Sequence, residues 1–155
     1  MQIVNIKLDF VKLKTADLPE CDRALYDAAV NSARHAYAPY SGLSVGAAVL
    51  LRDGGIVCGS NQENVAYPSG LCAERVALFA AGALYPDIPP VALAVVAMKE
   101  GEVQKFVSPC GACRQVMLET ENRYGQSMRI LMCGADDTVI SSSSIYLLPL
   151  CFEYI

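Results

Sequence analysis

Residues 91–98 read Val-Ala-Leu-Ala-Val-Val-Ala-Met, with no polar interruption. The run has the length of a strand, and a strand that is apolar at every position must be covered on both faces. A sheet with two covered faces needs helices above and below it, which commits the chain to an α/β layer structure.

The remaining segments supply the parts. Residues 4–10 alternate apolar side chains with Asn5, Lys7 and Asp9, the period of a half-buried strand, and the phase slips at Val11. Asp17 and Glu20 have the spacing of a capping box. Behind them Leu18, Cys21, Leu25, Ala28, Ala29 and Ser32 fall on one helical face, and this helix must end before Pro39. Residues 44–52 and 56–60 flank Asp53-Gly54-Gly55 as a hairpin. Residues 72–82 form the next helix. A third begins at Pro109, with Ser108 as its cap, and stops at Gly125. Residues 129–133 and 138–142 are the last strands. The expected architecture is α/β: a single mixed sheet of about five strands covered by helices. Residues 1–14 add an N-terminal strand extension, and residues 1–155 make one domain.

Charge narrows the function. Twelve Lys and Arg against sixteen Asp and Glu give a net charge of −4, and the basic residues are scattered singly along the chain. Nucleic-acid binding depends on clustered cations facing phosphates, so no nucleic-acid partner is expected. The longest apolar stretch, residues 76–85, is about half of the ~20 residues that a membrane-spanning helix needs. No signal-peptide core is present either, and a cytoplasmic protein with no membrane partner is expected. The chain is 54% hydrophobic but only 18% charged, against ~25% charged in ordinary domains. A small domain this poor in charge is expected to hide surface against copies of itself.

Seven cysteines and a single histidine, His35, frame the chemistry. Cys110 and Cys113 lie three residues apart at the start of a helix, where the N-terminal dipole favours the thiolate. That spacing serves a metal site or a redox dithiol. Upstream, Cys72-Ala73-Glu74-Arg75 adds a third thiol at another helix start, with a carboxylate two residues on. Three thiolates leave a tetrahedral ion one open position, the mark of catalytic rather than structural zinc. A four-cysteine structural site would need Cys58, Cys133 or Cys151 as its last ligand. On a regular helix Cys72 and Glu74 would point in nearly opposite directions, so Cys72 must precede the helical geometry.

Cys72-Ala73-Glu74, followed by Pro109-Cys110-Gly111-Ala112-Cys113-Arg114-Gln115, resembles the small tetrameric, three-cysteine type of zinc cytidine deaminase. Asn61-Gln62-Glu63-Asn64 falls in that family's order and spacing. The resemblance implies a homotetramer with one Zn²⁺ per subunit, held by Cys72, Cys110 and Cys113. It implies Glu74 as the catalytic proton carrier and Arg75 as a hydrogen-bond donor to the thiolates. Asn61 and Glu63 would hold the ribose 3′-hydroxyl, and the Ala73 backbone would contact the base.

Two positions depart from or strain the pattern. Leu43 stands where the family commonly has a phenylalanine against the pyrimidine. Phe152 lies in a terminal segment that, in the family, reaches a neighbouring subunit's active site. The function implied is zinc-dependent hydrolytic deamination of free cytidine and deoxycytidine to uridine and deoxyuridine, a step of pyrimidine salvage. The alternatives are a deaminase of a modified cytosine nucleoside, such as a nucleoside antibiotic, and a non-catalytic zinc module for assembly.

Overall fold

The structure is a computed structural model, and it describes residues 1–152. Seven strands form one sheet: β1 (Val11–Lys14), β2 (Ser44–Leu51), β3 (Ile56–Ser60), β4 (Pro90–Lys99), β5 (Glu102–Val103), β6 (Arg129–Cys133) and β7 (Asp137–Ser141). Three helices pack on it: α1 (Glu20–Ala33), α2 (Ala73–Leu84) and α3 (Gly111–Tyr124). The strand order is β1-β7-β6-β4-β2-β3, with the short β5 paired to the end of β4. β4 pairs parallel to β6 and antiparallel to β2, so the sheet is mixed.

The uninterrupted apolar run is the sheet's centre. Leu93 and Val95 face one way, under α2 and α3, with Met117, Ile130 and Met132. Ala92, Ala94 and Val96 face the other way, under Leu25, Ala29 and Ala33 of α1. Two glycines let the helices approach. A Cβ on Gly46 would overlap the Ala29 carbonyl of α1, and one on Gly59 would stand 2.5 Å from the Ala77 nitrogen and 2.7 Å from the Ala73 oxygen of α2.

The N-terminus corrects the sequence reading. Residues 4–10 form no strand; the edge strand is β1, which pairs antiparallel with β7 from Val11↔Ile140 to Lys14↔Asp137. Alternation marked a segment able to be a strand, but β7 is only five residues long and offers residues 4–10 no partner. The capping box is not made either. Pro19 sits at the N-cap of α1 without a side-chain bond, and Glu20 opens the helix itself. Helix α3 begins two residues later than expected, with Cys110 rather than Ser108 as its N-cap. Gly125 ends it in the left-handed conformation at φ 58°, as a stop glycine does.

Candidate active site

The sheet delivers two helix starts to one place. Cys72 is the N-cap of α2, in extended geometry at φ −71° and ψ 152°, outside the helix as its chemistry required. Cys110 is the N-cap of α3 in the same extended geometry, and Cys113 lies one turn on, buried. The Sγ atoms of Cys72 and Cys110 are 3.7 Å apart and those of Cys110 and Cys113 3.4 Å. Thiolates bound at ~2.3 Å on a tetrahedral ion stand roughly 3.8 Å apart. The cluster therefore has both the donor chemistry and the spacing for one zinc ion.

No fourth Cys, His, Asp or Glu joins this group among the described residues. Cys133 belongs to the core beneath α1, on the opposite face of the sheet, where burial pushes its thiol up to about 12. Cys58 also lies on that side, against the Ala28 carbonyl at 4.0 Å. Neither completes a structural site, and the third thiol at Cys72 removes the simple dithiol reading.

The local electrostatics favour thiolate. A hydrogen bond from the Cys113 thiol draws Cys72 down to about 5, against the opposing effect of burial, and Arg75 and Cys110 add to the lowering. Cys113 moves up, chiefly because it holds the proton shared with Cys72. Arg75 Nη2 donates to Cys72 Sγ at 3.6 Å. Its Nε is buried without a partner among the described residues, so this guanidinium keeps a donor in reserve beside the sulfurs. Glu74 is only 4% exposed. Desolvation raises its carboxyl above the ordinary glutamate range, and the negative Cys72 adds to that.

These groups border a cavity of about 770 Å³ whose lining includes Leu43, Asn61, Glu63, Cys72, Glu74 and Cys110. Arg75 lines it too, while Cys113 lies behind it. Asn61 and Glu63 do not stand there as a free pair. Asn61 Oδ1 accepts from the Val45 N–H at 2.7 Å, and its Nδ2 donates to the Leu43 carbonyl at 3.0 Å. Glu63 accepts from the Tyr40 N–H at 2.8 Å, the Ser41 N–H at 3.3 Å and the Ser41 hydroxyl at 2.5 Å. Both residues thus clamp the loop that leads into β2.

Ala73 is fully buried and opens α2, where first-turn N–H groups lack intrahelical partners. Phe152 does not border this cavity. Its side chain is 84% exposed, and its backbone is held at both ends by the Gln115 amide, at 2.9 and 3.4 Å.

Several lining residues carried no signal in the sequence. Tyr40 and Tyr67, both lining the cavity, meet edge to face at 6.0 Å, contributed by loops 27 residues apart in sequence. Tyr40 belongs to a proline-and-glycine loop and Tyr67 to a single turn of 3₁₀ helix, so no periodicity marks either. Arg114 sets the loop before Cys110 by donating to Ser108, Pro109 and Leu147.

Comparison with known proteins agrees with the geometry. Residues 19–124 match the family model described as the cytidine and deoxycytidylate deaminase zinc-binding region. The cytidine deaminase of Sporosarcina psychrophila is 44% identical over 119 residues, which are 76% of this chain and 81% of that one. The cytidine deaminase of Halalkalibacterium halodurans is 47% identical over 93 residues, 59% of this chain but only 65% of its own length. The crystal structure of cytidine deaminase from Burkholderia pseudomallei superposes with a TM-score of 0.71 at 39% identity, covering 84% of this chain and 98% of that one. Since the matched region carries all three thiols and the buried glutamate on a shared fold, the chain belongs to the cytidine and deoxycytidylate deaminase zinc-binding family.

Proposed function

We propose that the protein hydrolytically deaminates free cytidine and deoxycytidine to uridine and deoxyuridine, releasing ammonia, as a step of pyrimidine salvage in the cytoplasm. The observation that carries this reading is Glu74, a carboxyl only 4% exposed beside three clustered thiols at a cavity wall. A structural zinc site gains nothing from a desolvated acid next to its ligands.

Cys72, Cys110 and Cys113 hold the metal. Zinc bound there supplies Lewis-acid activation of water near neutral pH. Arg75 offsets the negative charge that three thiolates leave, through its bond to Cys72 and its second, unpartnered N–H. Glu74 takes a proton from the attacking water and places it on the ring nitrogen next to the amino-bearing carbon. It then carries the second proton to the departing amine, so that one water enters and one ammonia leaves. The Ala73 N–H, a donor without an intrahelical partner in the first turn of α2, contacts the base in this reading.

Asn61 and Glu63 hold the ribose 3′-hydroxyl in this reading, and their hydrogen-bond inventory supports it. Asn61 Nδ2 carries two donors and spends one on Leu43. Glu63 offers about four acceptor positions and three are taken by Tyr40 and Ser41. What remains is one donor and one acceptor, the complement of a single sugar hydroxyl.

Residues 1–155 form one domain, and copies of it assemble as a homotetramer. Phe79 and Leu84 of α2 are large, apolar and exposed, as is Phe152. They are surfaces that neighbouring subunits cover, Phe152 reaching a neighbour's cavity. No helix among the described residues is long and apolar enough to cross a membrane.

The test is ammonia release from cytidine and deoxycytidine by the purified protein, with Glu74→Gln alongside. Turnover falls by at least about 10²-fold in the variant, while zinc content, measured by mass spectrometry, stays at one per chain. Loss of zinc in Glu74→Gln with little loss of rate per bound zinc would contradict the catalytic assignment. Leu43 at the cavity wall favours one second reading: a fully metallated protein inert toward both nucleosides would act on a modified cytosine nucleoside instead.

A further inference from the structure

Residues 4–10 carry the alternation of a strand yet pair with no strand among the described residues. Val4, Ile6, Leu8 and Phe10 are 78%, 51%, 40% and 42% exposed. Asn5, Lys7 and Asp9 interleave with them, and Lys7 Nζ lies 3.4 Å from Asp9 Oδ2 on the same side of the segment. Directly after them comes β1, the outermost strand of the sheet, whose second edge is unpaired among the described residues. An exposed apolar strand segment running into an open edge is a template for another strand.

We propose that the partner is the same segment of a second copy, paired antiparallel about a two-fold axis at Leu8. The sequence is complementary to itself in that register. Leu8 faces Leu8 of the partner subunit, and Ile6 faces the partner's Phe10. Lys7 faces the partner's Asp9, and Asp9 faces the partner's Lys7. Between residues 6 and 10 even positions meet even and odd meet odd, so each apolar side chain there meets an apolar one on one face and each charge meets its opposite on the other. Asn5 then reaches the partner's Val11, at the start of β1, so the ladder continues onto the open edge and links the two sheets. The contact is isologous, as a two-fold requires. Shifting the register by two residues would bring Lys7 against the partner's Lys7 or Asp9 against the partner's Asp9, and a one-residue shift would put apolar side chains opposite charged ones. The pairing concerns assembly and stands apart from the proposed activity.

Opposed positions in an antiparallel pair place Cβ atoms about 4.5–5.5 Å apart, within the range from which a disulfide closes. The experiment uses the full zinc-loaded chain carrying Leu8→Cys, exposed to oxidised glutathione, with the linked peptides identified by mass spectrometry. A disulfide between the two introduced thiols forms readily. Ile6→Cys does not form one, because the register separates the two introduced thiols by four residues, roughly 14 Å along the strand.

Charge supplies the second arm. In the Leu8→Cys background, Lys7→Glu alone or Asp9→Lys alone slows linking by about tenfold, since two attractive pairs become two repulsive ones. Mixing those two variants restores it, in a product containing one chain of each kind. Circular dichroism confirms that all the chains are folded. Equal linking at positions 8 and 6, no linking at position 8, or charge variants that link alone as fast as the parent would each overturn the proposal.

Discussion

Three hydrogen bonds from Tyr40 and Ser41 converge on the carboxylate of Glu63, which is balanced by a loop rather than by a cation. The Ser41 hydroxyl is the largest influence holding its pKa below the ordinary glutamate value, and the Tyr40 N–H follows. A depressed folded pKa means that the clamp is complete at pH values above the unfolded value of ~4.3 and is lost as pH falls through the folded one. Protection of the Tyr40 and Ser41 amides, measured against their intrinsic exchange rates at each pH, therefore holds through the neutral range and is lost on the acid side of ordinary glutamate titration. If Glu63 holds the sugar hydroxyl as proposed, Glu63→Gln at neutral pH raises KM for both nucleosides by about tenfold with a smaller change in kcat, one charged hydrogen bond being lost. An unchanged KM would confine Glu63 to the loop. At this scale the groups of the candidate site were legible in the sequence: Cys72, Glu74, Cys110 and Cys113 stand out by type and local spacing, and the fold brings the three thiols together with the buried carboxyl beside them. Their supporting groups were not. Ser41 meets Glu63 across 22 positions of chain, and Asn61 spends its amide on Leu43 and Val45, pairings that only the fold creates.

Among the elements, α2 is the one whose placement decides the site, since it carries Cys72 at its cap and Glu74 and Arg75 in its first turn. Its seat on β3 depends on Gly59. Gly59→Ala pushes a methyl into the Ala73–Ala77 backbone, which costs about 1–3 kcal/mol of stability and displaces the thiol and the carboxyl together. Gly46→Ala crowds α1 in the same way, but α1 carries none of these groups. Thermal unfolding with ammonia release separates the two: both variants melt earlier, and only Gly59→Ala loses rate per bound zinc. The helices and the inner strands were visible in the sequence because their apolar patterns answer to partners inside the chain. β5 was not, being two residues long, too short for any period. The segment at residues 4–10 was misplaced for the opposite reason, a strand pattern that finds no partner strand among the described residues.

For the molecule as a whole, the mixed sheet was implied by the alternating order of strand and helix patterns and its centre by one apolar run, while the parallel β4–β6 pairing and the order of the outer strands were not. Those depend on which face each helix covers, and local sequence does not state it. The three thiols come from two elements 38 positions apart, so occupancy of the site bears on more than catalysis. Removing zinc with a chelator lowers the melting temperature by about 10 °C, as expected when tight binding to the folded state alone is withdrawn from a chain of this size. Scanning calorimetry with and without chelator, followed by zinc replenishment, checks both the drop and its reversal.

Neither helix bearing those thiols has a side-chain hydrogen bond at its N-cap; Cys72 and Cys110 occupy the positions where serine or aspartate would ordinarily close the first turn. A sulfur ligated to metal is the fastening at both ends. Stripped of it, the two first turns lose their fastening together and become the places where a protease would gain entry. Resistance to a protease would then follow zinc occupancy: the metal-free polypeptide would be cut at these two turns while the zinc-loaded one stays whole, and limited proteolysis with and without chelator reads the difference.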